Sequence, residues 1–158
     1  MKKAKRIPAF CLLFLLLLSL CACSAEKPVP VPDSVYPDTA VDLDLSQMSG
    51  TIVYAEIYNL LSNPDPMIGK VIRIRGNYSA FQDPETNKVY LACVVPDATA
   101  CCAQGIEFVR AGEHTWPEDY PEEGTEITVT GRLDTYPEDG ITYLHLTEAD
   151  MVIYSPEE

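Results

Sequence analysis

The feature that most constrains this chain is a two-residue alternation that recurs through its C-terminal half. In KVIRIRGNYSAF, Ile72 and Ile74 fall on one face and Arg73 and Arg75 on the other. In NKVYLACVVPD, Val89, Leu91, Cys93 and Val95 alternate with Tyr90, Ala92 and Val94. QGIEFVR is a short third run. TEITVTGRLDTY sets Ile127, Val129 and Leu133 against Thr128, Thr130 and Arg132, and ITYLHLTEADMVIY completes the series. Alternation of this kind places every second side chain on one face of a half-buried strand. QDPETN and PEDG separate runs as turns, and EHTWPEDYPEEG is a long acidic loop. Five strands in roughly 100 residues fit a small closed or partly closed barrel, with Gly76 and Gly131 as bending points. The expected class is mainly β: a small five-stranded OB-like barrel preceded by one short helix, with a small β-sandwich as the alternative.

The helix is expected in TIVYAEIYNLLSNPDP. Val53, Ile57, Leu60 and Leu61 share a helical face, Ser49 or Thr51 can cap the start, and Asn63-Pro64 stops it. Its β-branched opening leaves a strand as the alternative for the first residues.

The N-terminus sets the address. Lys2, Lys3, Lys5 and Arg6 precede an apolar run over residues 10–20. That run falls short of the ~20 residues a membrane-spanning helix needs and reads as a signal peptide. LCAC, residues 20–23, resembles a lipobox, in which a peptidase cuts before a diacylated cysteine. Cys23 is the expected lipid attachment site because small Ala22 precedes it, where Cys21 follows bulky Leu20. The expected organisation is a lipoprotein signal peptide over 1–22, lipidated Cys23 with a disordered Pro/Asp-rich linker over 23–47, and an OB-like domain over 48–158. Two acyl chains hold a protein stably at a membrane. The expected location is extracytoplasmic, lipid-anchored to the bacterial cell membrane.

Charge narrows the partners. The chain has 11 basic and 24 acidic residues. Four of the basic residues precede Cys23, so the mature form carries 7 against 24, a net −17 with His neutral. Nucleic acid and anionic headgroups are repelled by such a surface. The membrane is then reached through the lipid and not through the protein surface.

Three cysteines remain after processing: Cys93, Cys101 and Cys102, in CVVPDATACC. Three explanations stand side by side. A disulfide from Cys93 to one of the pair would need a Cα separation near ~5.5 Å, and would contribute about 2–3 kcal/mol at most by closing a short loop. A metal site would use the three thiolates as corners of a zinc tetrahedron, with His145, Asp97 or water as the fourth. Two thiols with a histidine would also suit Cu(I). Adjacent cysteines point to opposite faces of an extended chain, so both reach one ion only across a backbone kink. Lastly, the cysteines could be small buried apolar residues.

Other features carry less chemistry. His145 lies on one strand face with Ile141 and Tyr143, and His114 sits by Trp116 in the acidic loop. Glu118, Asp119, Glu122 and Glu123 lack the ordered spacing of a calcium loop. No glycine-rich phosphate loop is present, and Ser46 and Ser49 have no triad partner nearby. Arg73 and Arg75 are expected to pair with carboxylates across strands. No CxxC at a helix start is present to activate a thiol.

The run GKVIRIRGNYSAFQDPETNKVYLACVVPDATACCAQGIEFV, with TEITVTGRLDTY and ITYLHLTEADMVIY, resembles a family of uncharacterised lipoproteins from clostridia-like bacteria that carry DATACCAQG, here residues 97–105. More distantly it resembles the OB-like C-terminal domain of a predicted permease-subunit family of unknown function. That domain has CCAADA where this chain has CCAQGI, and some of its members accompany zinc-responsive gene sets. The resemblance implies a zinc link for Cys101 and Cys102 alone. The combined expectation is a binding module and not an enzyme. It would serve as a zinc-binding or delivery accessory to an envelope transporter, through Cys93, Cys101, Cys102 and His145. The alternative is a structural or protein-interaction envelope module with a disulfide staple.

Overall fold

The computed structural model describes residues 36–155. The expected signal peptide, Cys23 and the first part of the expected linker lie outside the described residues. The elements in order are β1 (Leu43–Asp44), α1 (Gly50–Ser62), β2 (Val71–Gln82), β3 (Val89–Pro96), β4 (Ala103–Arg110), β5 (Glu126–Glu138) and β6 (Ile141–Ile153). The strands form one mixed six-stranded sheet in the order β1-β2-β3-β4-β6-β5, and β2 also pairs with β5. Hydrogen bonds therefore run in a ring through five strands. β4 and β6 pair in parallel, and the other pairs of the ring are antiparallel. This is a mainly β, barrel-like fold with one helix, as the alternation requires.

β2 belongs to two neighbours. Its residues 71–77 pair with β5 and its residues 77–82 pair with β3. The exchange falls at Asn77, next to Gly76. A Cβ on Gly76 would meet Val94 O at 2.7 Å and Cys93 Sγ at 2.9 Å. Only glycine lets the strand turn this corner at so close an approach. Gly131 marks a second bend. The β5–β6 register shifts between Thr130 and Arg132, and a Cβ on Gly131 would lie 3.0 Å from Leu146 Cβ.

The core is the inward set of the alternation: Ile72, Ile74, Cys93, Val95, Ile127, Val129 and Leu133, joined by Phe108 and Leu146. The helix contributes Val53, Ile57 and Leu60 and packs against β3 and β4. Leu61, expected on the same face, is 47% exposed. Ser49 occupies the N-cap without a side-chain capping bond.

Two expectations are corrected. Residues 36–47, expected as linker, pack on the barrel: β1 pairs in parallel with β2, and Leu45 is 0% exposed. The cause is Arg73. Expected on a solvent face, it is 3% exposed beneath this segment. Its Nη1 lies 2.7 Å from Asp38 Oδ1 and 3.1 Å from Asp44 Oδ2. Its Nε donates to Thr130 Oγ1 at 3.1 Å. A buried guanidinium needs such partners, and the acidic segment supplies them. Thr130, which pairs with Arg73 and accepts from it, is 1% exposed, and Thr128 on the same strand is also buried. Arg75 pairs with Glu126 at 3.4 Å, a cross-strand contact of the expected kind.

Candidate metal centre

β3 and β4 form a hairpin, and its turn holds the pair of cysteines. Pro96 pairs with Ala103, so residues 97–102 make the turn. Asp97 N donates to Cys102 O at 2.8 Å, and Ala100 N to Asp97 O at 3.0 Å. The Asp97 carboxylate organises the interior. Its Oδ1 accepts from Thr99 N at 3.0 Å and from Cys101 N at 3.1 Å. Ala100 takes a left-handed φ of 55°, which costs a residue with a Cβ roughly 1–2 kcal/mol. It turns the chain just before the two cysteines.

The turn brings the sulfurs together. Cys101 Sγ and Cys102 Sγ lie 3.7 Å apart, a contact and not a bond. Asp97 Oδ2 lies 3.4 Å from Cys101 Sγ. Asp97, Cys101 and Cys102 each offer a ligand atom, all within 4.8 Å of one another. These separations can be tested against zinc. Two thiolates at ~2.3 Å in a tetrahedron sit about 3.8 Å apart, and a thiolate and a carboxylate oxygen at ~2.1 Å about 3.6 Å apart. The two distances at Cys101 are within a few tenths of an ångström of these, and the Cys102–Asp97 pair lies within 4.8 Å. One oxygen of Asp97 holds the turn and the other faces the thiols.

The Cys102 thiol is raised chiefly by its hydrogen bond with Cys101, then by the Asp97 charge and by desolvation. The Asp97 carboxyl is opposed by desolvation but held below its usual range by hydrogen bonds from Cys101 and Thr99. Both cysteines are exposed, so an ion bound here would keep a face open to solvent or to a partner.

Cys93 does not join this group, which corrects the expected ligand set and the expected staple together. It is 0% exposed in the core, and burial pushes its thiol up to about 12. It sits opposite Ile106 in the β3–β4 register. Cys102 is four residues nearer the turn, about 13 Å along a strand, beyond the ~7 Å Cα limit for a disulfide. All three thiols are free. The turn is tighter than the spacing of CVVPDATACC suggests, because it begins after Pro96 and not at Cys93. Cys93 is thus the buried apolar residue that the third explanation described.

His145 is also elsewhere. It pairs with Glu107 and Asp134 on β6, and its ring centroid lies 4.7 Å from that of Tyr136. Desolvation holds its pKa below the ordinary value, against the pull of Asp134 and Glu107. His114 bonds the Ala111 carbonyl at 2.9 Å.

The sequence reasoning passed over one more set of side chains, the outward tyrosines. Tyr90, Tyr136 and Tyr143 stand on polar strand faces, where aromatic residues have no core to fill, and that was the available signal.

Fold and site together define a small barrel-like β protein with a thiol-carboxylate turn at one hairpin. Comparison with protein-family models, curated proteins and solved structures finds no significant match to the chain.

Proposed function

We propose that this protein is a lipid-anchored extracytoplasmic binding module, of the DATACCAQG lipoprotein type, with an OB-like barrel. Its β3–β4 turn takes zinc. The ligands are Cys101, Cys102 and Asp97 Oδ2, which accepts from Thr99 Oγ1 and Cys101 Sγ and would give up the Cys101 bond to the ion, and water or a partner's side chain fills the fourth corner. The observation that carries this reading is the gathering of two sulfurs and a carboxylate within 4.8 Å of one another, with Cys101 Sγ at 3.7 Å from Cys102 Sγ and 3.4 Å from Asp97 Oδ2. An exposed three-ligand site suits an ion that is received and passed on, as in an accessory to an envelope transporter. The strand order, with its one parallel pair closing a five-stranded ring, supports the OB-like reading. The apolar N-terminal run and LCAC support the lipid anchor at Cys23.

Native mass spectrometry of the reduced chain with added zinc tests it. One zinc per chain is expected, lost in Cys101→Ser and in Cys102→Ser and weakened about tenfold or more in Asp97→Asn. Absence of stoichiometric zinc in the reduced wild-type protein, or its persistence in both cysteine variants, contradicts the reading.

A further inference from the structure

The outer face of the barrel carries a second feature, at the opposite end of β3 from the cysteine turn. The register assembles it strand by strand. Phe81 pairs with Tyr90, Ala92 with Glu107, Glu107 with His145, and Tyr136 with Tyr143. These pairs place aromatic rings and carboxylates side by side across five strands. They line a groove of two lobes, about 430 and 280 Å³, that share Tyr90, Glu107 and Tyr136. That is the size range of small-molecule sites.

The rings are packed and held. Tyr136 stacks on Tyr143 with centroids 5.5 Å apart, and Phe81 lies 6.3 Å from Tyr90. Tyr136 donates its hydroxyl to Glu107 Oε2 at 2.5 Å, and Tyr90 donates to Glu138 Oε2 at 2.8 Å. Asp83 and Asp139 add carboxylates at the rim of the larger lobe.

The chain also places a cation in this setting. Lys88 Nζ lies 2.5 Å from Glu138 Oε1, 4.5 Å from the Tyr90 centroid and 5.1 Å from the Tyr136 centroid. This is an ammonium in an aromatic and carboxylate box. Lys88 is the single Lys or Arg among the described lining residues, against four carboxylates. Its side chain is 45% exposed, so a competing ammonium can displace it toward solvent. A neutral sugar would use the rings but would leave the excess of carboxylates without purpose.

We propose that this groove binds a small organic polycation of the linear polyamine type, with one ligand ammonium replacing that of Lys88 between Tyr90, Tyr136 and Glu138. The methylene spacers lie on the rings, and the remaining ammonium groups meet Glu107, Asp83 and Asp139. The net charge of the mature chain draws such a ligand in.

Calorimetric titration of spermidine into the full chain, purified in detergent, tests this. Saturable binding of one spermidine per chain is expected. Glu138→Gln and Tyr136→Leu should each weaken it tenfold or more. Lys88→Ala should tighten it severalfold, because the internal competitor is gone. A zinc chelator should leave it unchanged. Glu138→Gln alters a surface charge and keeps the side chain's shape, so it separates lost binding from lost folding. The proposal is overturned if no saturable heat appears at millimolar spermidine, or if Glu138→Gln leaves the affinity unchanged. It is equally overturned if Lys88→Ala weakens binding, or if a neutral oligosaccharide competes as well as spermidine does.

Discussion

The two ends of β3 carry sites made in opposite ways. At its C-terminal end six consecutive residues fold into a turn that gathers two thiols and a carboxylate. At its N-terminal end the groove is built from residues as distant in sequence as Phe81 and Tyr143, brought together by register alone. The first kind of site survives changes in the barrel, because its geometry is local. The second moves whenever a strand shifts, because one residue of slip turns a side chain to the other face. On the proposed readings, the two sites share no residue and neither depends on the other.

Substitutions can separate the two ends. The largest effect on the fold is expected from Gly76→Ala, at the corner where β2 changes partners. A Cβ there runs into the Val94 carbonyl and Cys93 Sγ, which overpacks the barrel by about 3 kcal/mol. Urea unfolding should show the loss. Groove binding should weaken while zinc stoichiometry stays at one per chain, and loss of zinc with the fold retained would break the comparison.

Cys93→Ser is the next test. It buries a hydroxyl among apolar side chains at a cost of about 2 kcal/mol. Thermal unfolding should register that cost and native mass spectrometry should find zinc binding intact. A variant as stable as the wild type but unable to hold zinc would return Cys93 to the metal site.

The smallest effect belongs to His145. Its pKa is lowered in the fold, chiefly by desolvation, with Asp134, Glu107, Lys88 and the Tyr136 ring around it. The unfolded chain then binds the extra proton first. Stability contributed by the neutral ring is present above about pH 6.5 and is lost as pH falls from there through the folded value. His145→Gln should flatten the pH dependence of unfolding between pH 7.5 and 5.5, measured against the wild type. An unchanged slope would show that the ring titrates as it does in water.

These tests follow the line between what the sequence makes legible and what it hides. Alternation identified the inward residues of β2, β3 and β5, because burial on one face is a local property of a strand. It also marked Gly76 and Gly131, where the ring bends. It misplaced Arg73 and the segment over residues 36–47, because the carboxylates that bury that guanidinium lie 29 and 35 residues away. Within the cysteine segment, the need for adjacent thiols to leave the extended geometry was legible, and in the turn their sulfurs meet at 3.7 Å. The exclusion of Cys93 was not legible, since it depends on where the hairpin turns. The tyrosine groove was hidden for the same reason, as no window of sequence contains it.

The central claim is that the turn alone, and not the buried thiol, holds the metal. Cobalt titration of the reduced protein, read by its thiolate-to-metal charge-transfer absorption, tests that most directly in the wild type, Cys93→Ala and Cys101→Ser/Cys102→Ser. The account predicts a two-thiolate band at one cobalt per chain in the wild type and in Cys93→Ala, and no band in the double variant. A three-thiolate band in the wild type that drops in Cys93→Ala, or no band at all, would contradict it.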